Sequence, residues 1–408
     1  MLNINKSAAL TKLRDVDWSF ASLSNEGIHS FHWYPATYLS AIPGTLIPHL
    51  TSAGETVLDP FSGSGTTGVE AVRLNRRYIG IDTNPVAVLM TQAKLSFPSP
   101  SSIRSCLRDT LQRSQALLSG KTPPTHPHNR ELLGWYHPQT LESLNSILHA
   151  ILAIKVGVLR TAMLAGFSSI LKNCSSQGKH WGWVCDNVKP KPEEIVFKNA
   201  TLAFTVAITE FAKAAEHALE ACLVHSFGET RESVRKRSRV IHGDCVAEIR
   251  KLKANSIDLV STSPPYYGVA DYVKSQRLTF LWLDKDELSE KNLGFRVFED
   301  LRATEAGARS NRHRADSHQR YMAFMKSFFE GCSRVLKRDR YMTLVVGESP
   351  SRTGTIEDLI SSAGDAGFVL DSRLVRDIRP NRRRLMAKVK GEDILIFTNA
   401  GRQVVKSV

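Results

Sequence analysis

The run Ser261-Thr262-Ser263-Pro264-Pro265-Tyr266 ends the apolar stretch Ile257-Asp258-Leu259-Val260 in a rigid corner that is polar and aromatic at once. Two consecutive prolines fix φ and carry no N–H, so carbonyls in the turn stay free to accept hydrogen bonds. An exocyclic amine on a flat base, with its two N–H donors, is the matching ligand. Ser263 sets a hydroxyl beside the same amine, and Tyr266 offers a ring on which a base can stack. Taken alone, the run also has a plainer reading, as a turn after a strand.

A second constellation stands upstream. Thr56-Val57-Leu58-Asp59 reads as a buried strand, Pro60-Phe61-Ser62-Gly63-Ser64-Gly65 as a glycine turn, and Thr66-Thr67-Gly68 as the start of a helix. Gly63 and Gly65 let backbone approach a ligand without a Cβ in the way. Thr66 or Thr67 could cap the helix, whose positive end would face an anion. The spacing Gly63-x-Gly65-x-x-Gly68 also satisfies the dinucleotide fingerprint, which keeps a nicotinamide or flavin enzyme open. The next strand, Tyr78 to Ile81, delivers Asp82, whose carboxylate can take both hydroxyls of a ribose. Either cofactor would need that.

Together the two segments resemble the site-specific amino-methylating DNA methyltransferases, which act on cytosine N4 or adenine N6. In that family an Asp-Pro-Phe-x-Gly-x-Gly motif binds S-adenosylmethionine and a Ser-Pro-Pro-Tyr motif receives the target base. The resemblance runs over about 32–95 and 240–399. It implies an α/β fold, a doubly wound, mostly parallel, seven-stranded Rossmann-like sheet closed by an antiparallel pair. Asp59 would meet the methionine ammonium, Phe61 pack in support, Gly63 and Gly65 admit the thioether chain, and Thr66 open the helix beside it. Asp82 would hold the ribose and Asp244 the adenine amine. Ser263 and the Pro264 carbonyl would accept from the target amine, Pro265 would stiffen the turn, and Tyr266 would stack on the base. Serine in first place points to cytosine N4, with adenine N6 as the alternative. An RNA amino-methyltransferase and a non-catalytic DNA-binding protein are more distant readings. A C5-cytosine enzyme is excluded because no Pro-Cys pair occurs and that chemistry needs a thiolate.

These motifs fix an order of elements. Strand 56–59, helix 66–75, strand 78–82 and helix 85–95 make one β-α-β-α run. The sheet resumes at 239–244 and continues through strands 257–262, 341–346, 369–378 and 392–398, with helices at 245–253, 318–336 and 355–366. Between the two parts, Pro98, Pro100, Pro123, Pro124, Pro127 and Pro138 mark loops, and helical spacing follows from Leu141 through Leu152, over 158–172 and within 193–224. The expected division is thus 1–96 and 239–408 for the catalytic domain, and 97–238 for a mainly helical insertion that reads DNA. The charge-rich stretch 284–320 is expected to be a mobile DNA-facing loop.

The chain of 408 residues carries a formal charge of +14, as suits a polyanionic partner, here sequence-specific double-stranded DNA. The segment 1–96 holds seven Lys/Arg against seven Asp/Glu, so the excess lies downstream. Six cysteines form no Cys-x-x-Cys pair, and with no secretory leader the expected setting is the reducing cytoplasm. Cys174, His180 and Cys185 are poorly spaced for zinc and lack a fourth ligand, so no metal is expected. No apolar run reaches membrane-span length. A companion restriction endonuclease could accompany such an enzyme, and the oligomeric state is left open.

Overall fold

A computed structural model describes residues 6–120, 125–177, 189–224, 228–283, 298–311, 313–348, 353–377 and 391–401. The basic loop residues at 178–188 and the arginines at 379 and 382–384 lie outside the described residues. Seven strands form one sheet: β1 Thr56–Asp59, β2 Arg77–Asp82, β3 Ser238–His242, β4 Ile257–Thr262, β5 Leu336–Gly347, β6 Phe368–Asp377 and β7 Gly391–Asn399. Their order is β3-β2-β1-β4-β5-β7-β6. The first five run parallel, and β7 lies antiparallel between β5 and β6.

Period-two alternation divides the side chains between two cores, one on each face. Val57, Leu259, Val345 and Ile394 point into the core shared with helices Ala41–Leu50, Thr66–Arg73 and Pro85–Leu95. Leu58, Val260, Leu344 and Leu395 point to the other, against helices Cys245–Lys251, Ser317–Val335 and Thr355–Asp365. Covered on both sides, β4 is buried at every position, and its one charged residue, Asp258, is paired with Lys337 at 2.6 Å. The long helices Pro138–Leu152, Val158–Cys174 and Ala200–Val224 contribute to the first core, with Phe211 stacked at 4.4 Å on Phe31.

Four expectations need correction. Pro100 marks no loop: it occupies the first turn of helix Pro100–Leu118, where its missing N–H costs nothing, and Ser99 caps that helix. Pro138 likewise opens a helix, Pro138–Leu152, with His137 as its cap, while the long helix expected within 193–224 lies there as Ala200–Val224. Neither Thr66 nor Thr67 caps helix 66–73: the cap position is Gly65, in a left-handed conformation, and the Thr67 hydroxyl pairs with Tyr38 instead. Within 284–320, helix Phe298–Thr304 is packed structure, because Leu301 and Ala308 are buried against the body of the protein.

Candidate active site

The winding of the sheet reverses between β1 and β4, and loops leaving adjacent carboxyl ends at such a point diverge to opposite faces and leave a crevice. There the glycine loop that follows Asp59 and the proline turn that follows Thr262 meet. Thr262 Oγ1 donates to Asp59 Oδ1 at 2.5 Å, a bond across 203 positions of chain that ties one loop directly to the other. The Phe61 N–H donates to the same oxygen at 3.1 Å.

The glycine loop is held from beneath. The Thr91 hydroxyl donates to the Gly63 carbonyl at 3.0 Å, and Tyr78 OH pairs with Ser62 Oγ at 2.8 Å. Gly65 has φ +80°, and a Cβ there would lie 2.8 Å from Thr91 Oγ1. Gly68 is required by packing, since a Cβ would sit 2.6 Å from the Tyr78 ring. Gly65→Ala is therefore expected to cost about 1–3 kcal/mol in urea unfolding, from left-handed strain plus the clash. An unchanged midpoint would show that the loop yields.

A cavity of about 290 Å³ opens over both loops. Of the residues singled out in the sequence, Phe61, Gly63, Thr66, Asp82, Asp244, Ser263 and Pro265 line it, whereas Asp59, Gly65, Pro264 and Tyr266 stand behind the lining. Asp82 accepts from Gly63 N at 2.7 Å and from Asn84 N at 2.8 Å, so it shapes the loop as well as facing the cavity. Asp244 caps helix 245–251 through Ala247 N at 2.8 Å. Phe61 packs on Phe328 at 5.1 Å and on Phe324, itself a lining residue, at 6.0 Å.

Polar bookkeeping in the proline turn leaves acceptor lone pairs unused. The single proton of Ser263 has two inward acceptors, the Val345 carbonyl at 3.0 Å and Tyr266 OH at 3.2 Å. Tyr266 OH in turn donates to Glu392 Oε1 at 3.2 Å, and Arg376 Nη1 holds Glu392 Oε2 at 2.7 Å. The Pro265 carbonyl is taken by Tyr321 OH at 3.0 Å, while among the described residues nothing donates to the Pro264 carbonyl. A lone pair of Ser263 Oγ thus remains available to an amine in the cavity, and the Pro264 carbonyl, behind the lining, keeps its own unused among the described residues. The sequence reading missed Arg376 and Glu392, as well as Glu305 in the cavity wall. Each sits in a stretch of ordinary charged residues, and nothing local marks it.

Burial pushes the carboxyls of Asp59 and Asp82 up to about 6, against the hydrogen bonds that favour their ionised forms. Raised in the folded state, these groups favour folding below the ordinary carboxylate range, and that stability is lost as pH rises through about 6. A cationic ligand in the cavity, which Asp82 lines with Asp59 behind it, has the opposite preference. S-adenosylmethionine affinity is therefore expected to rise between roughly pH 5 and pH 7, with proton release on binding. Calorimetry in two buffers of different ionisation enthalpy checks this, and a flat affinity would contradict it.

The lining fits such a ligand. Among the described residues it holds three carboxyl groups, Asp82, Asp244 and Glu305, with Tyr34, Tyr38 and Tyr272, and no Lys, Arg or His. Acidic and aromatic walls suit a sulfonium with an ammonium, and they repel the pyrophosphate of a dinucleotide. The described residues hold no group of His, Cys, Asp and Glu that could bind a metal, and no helix long and apolar enough to cross a membrane.

A doubly wound sheet of this order, with an antiparallel seventh strand and a site at its reversal point, is the Rossmann-like methyltransferase fold class. The family described as DNA methylase matches residues 6–93. Type II methyltransferase M.BsoBI of Geobacillus stearothermophilus is 23% identical over 290 residues, covering 67% of this chain and 56% of that protein. Type II methyltransferase M.MvaI of Kocuria varians is 24% identical over 283 residues, 64% of this chain and 58% of that one. M2.DpnII of Streptococcus pneumoniae shares 51% identity over 45 residues, 11% of this chain and 17% of its own. Over these stretches the chain is similar to the amino-methylating DNA methyltransferases. Its matches span little more than half the length of the first two relatives.

Proposed function

We propose that the protein transfers a methyl group from S-adenosylmethionine to the N4 amine of cytosine in double-stranded DNA. The observation that carries this reading is the shared cavity: the glycine loop and the Ser263 turn line one space and are joined by the bond between Asp59 and Thr262.

An aromatic amine is a poor nucleophile because its lone pair is delocalised into the ring. Hydrogen bonds from its two protons to Ser263 Oγ and the Pro264 carbonyl hold the nitrogen still and localise that pair toward the reacting carbon. When bound, S-adenosylmethionine supplies an electrophilic methyl on a sulfonium centre. Asp82 and Asp244 hold the nucleoside end, and Asp59 fixes the distance between the loops from behind. Transfer is direct and in line, and the cationic methylated amine then sheds its proton without needing a strong base. Tyr266, locked through Glu392, stiffens the turn from behind the lining.

A base within a duplex cannot enter this cavity, so the nucleotide rotates out at a cost of about a few kcal/mol. Phosphate contacts from the basic remainder of the chain offset that cost. The helical segment 97–238 is the region proposed to read sequence, since only it has the size of a recognition domain. Incubation with methyl-labelled cofactor and duplex DNA, followed by digestion to nucleosides, tests the reading. Labelled N4-methylcytosine is expected; labelled N6-methyladenine would keep every role and change the base, and label only in RNA would overturn the DNA reading.

A further inference from the structure

Glu305 follows helix Phe298–Thr304 and lines the same cavity as Ser263. Its Oε1 accepts the Tyr272 N–H at 2.5 Å and lies 3.4 Å from the Val273 N–H. Among the described residues Oε2 has no partner. Tyr272, also in the lining, is thereby fixed at its backbone by this carboxyl.

The mechanism above gives the flipped base two acceptors for its amine and nothing for the ring nitrogen beside it. That nitrogen, N3 of cytosine or N1 of adenine, is an acceptor and needs a donor. Of the neighbouring lining hydroxyls, Thr304 donates within its own helix and Thr37 to the Tyr34 carbonyl, while the phenols of Tyr34 and Tyr272 stand beside Glu305 itself. We propose that Glu305, as the neutral acid, donates from Oε2 to the ring nitrogen next to the exocyclic amine, and so selects amino-bearing bases against keto bases.

Keto bases present the reverse pattern, a carbonyl oxygen toward Ser263 and a ring N–H toward the acid. Burial is the first cause that keeps the proton on Glu305, pushing its carboxyl up to about 8, and Asp271 adds to it while Arg302 on the preceding helix opposes. Tyr34 and Tyr272 face it as neutral phenols, both with raised pKa. Because Oε1 is engaged by amides, the proton belongs on Oε2. Donation to the ring makes the amine no more nucleophilic, so Glu305 positions the base, and its effect belongs in KM.

The inference rests on the proposed methyl transfer, and the test separates the two. Wild type, Glu305→Gln and Glu305→Leu are compared on duplex DNA holding either the target base or its deaza analogue, in which the ring nitrogen is replaced by C–H. Wild type is expected to lose about tenfold in kcat/KM on the analogue, carried by KM. Glu305→Leu should show that loss already on normal DNA and none further on the analogue. Glu305→Gln, whose amide still donates, should stay near wild type but lack the fall in kcat/KM that wild type shows above about pH 8. Affinity for duplex with an abasic target should be the same in all three proteins. Equal losses by Glu305→Leu on both substrates, a shared alkaline limb in Glu305→Gln, or weakened abasic binding would each overturn the assignment. Absence of methyl transfer by wild type would instead remove the reading beneath it.

Discussion

Ser263→Ala is expected to lower the single-turnover rate of methyl transfer by about 10²-fold while changing cofactor and DNA affinities by less than about threefold. The serine proton is directed inward, to the Val345 carbonyl at 3.0 Å or to Tyr266 OH at 3.2 Å, so what faces the cavity is an acceptor. Alanine removes one of two acceptors that localise the amine lone pair, an effect present chiefly when the nitrogen becomes cationic. Rapid-quench measurement with saturating cofactor isolates the step. A fall in DNA affinity with an unchanged rate would make Ser263 a binding residue and move the catalytic role elsewhere. Because Ser263 is only partly buried and its neighbours are polar, the variant is expected to fold normally.

Arg376→Met is expected to destabilise the protein by about 3–5 kcal/mol, the usual cost of stranding a buried charge. Arg376 and Glu392 are 2% and 3% exposed and bonded at 2.7 Å, so loss of the guanidinium leaves the Glu392 carboxylate with Tyr266 OH as its remaining partner among the described residues. Urea unfolding measures the effect. The double variant Arg376→Met with Glu392→Met should recover most of that stability, since an apolar pair of similar volume is tolerated where a lone charge is not. Turnover should nevertheless stay about tenfold low, because Tyr266 OH has lost its acceptor and the turn its brace. Recovery of both properties together would make the ion pair purely structural.

The chain itself determined the strands that carry the site. Runs such as Thr56–Asp59 and Ile257–Thr262 are short, have apolar centres and are followed by proline, and local chemistry of this kind survives in one dimension. The same holds for Gly65, whose left-handed φ only glycine adopts without strain. Helix Pro100–Leu118 was hidden because a proline that opens a helix looks, in sequence, like one that breaks it. Helix Phe298–Thr304 was hidden because its one fully buried apolar anchor, Leu301, sits in a charged run. Only the tertiary structure decided which carboxyls work together. The bond from Thr262 to Asp59, the brace from Arg376 through Glu392 to Tyr266, and the placement of Glu305 in one cavity with Ser263 join residues from distant segments. A hydrogen bond between strands leaves no periodicity in either one, so these partners become visible only once β1 and β4 lie side by side at the point where the sheet reverses.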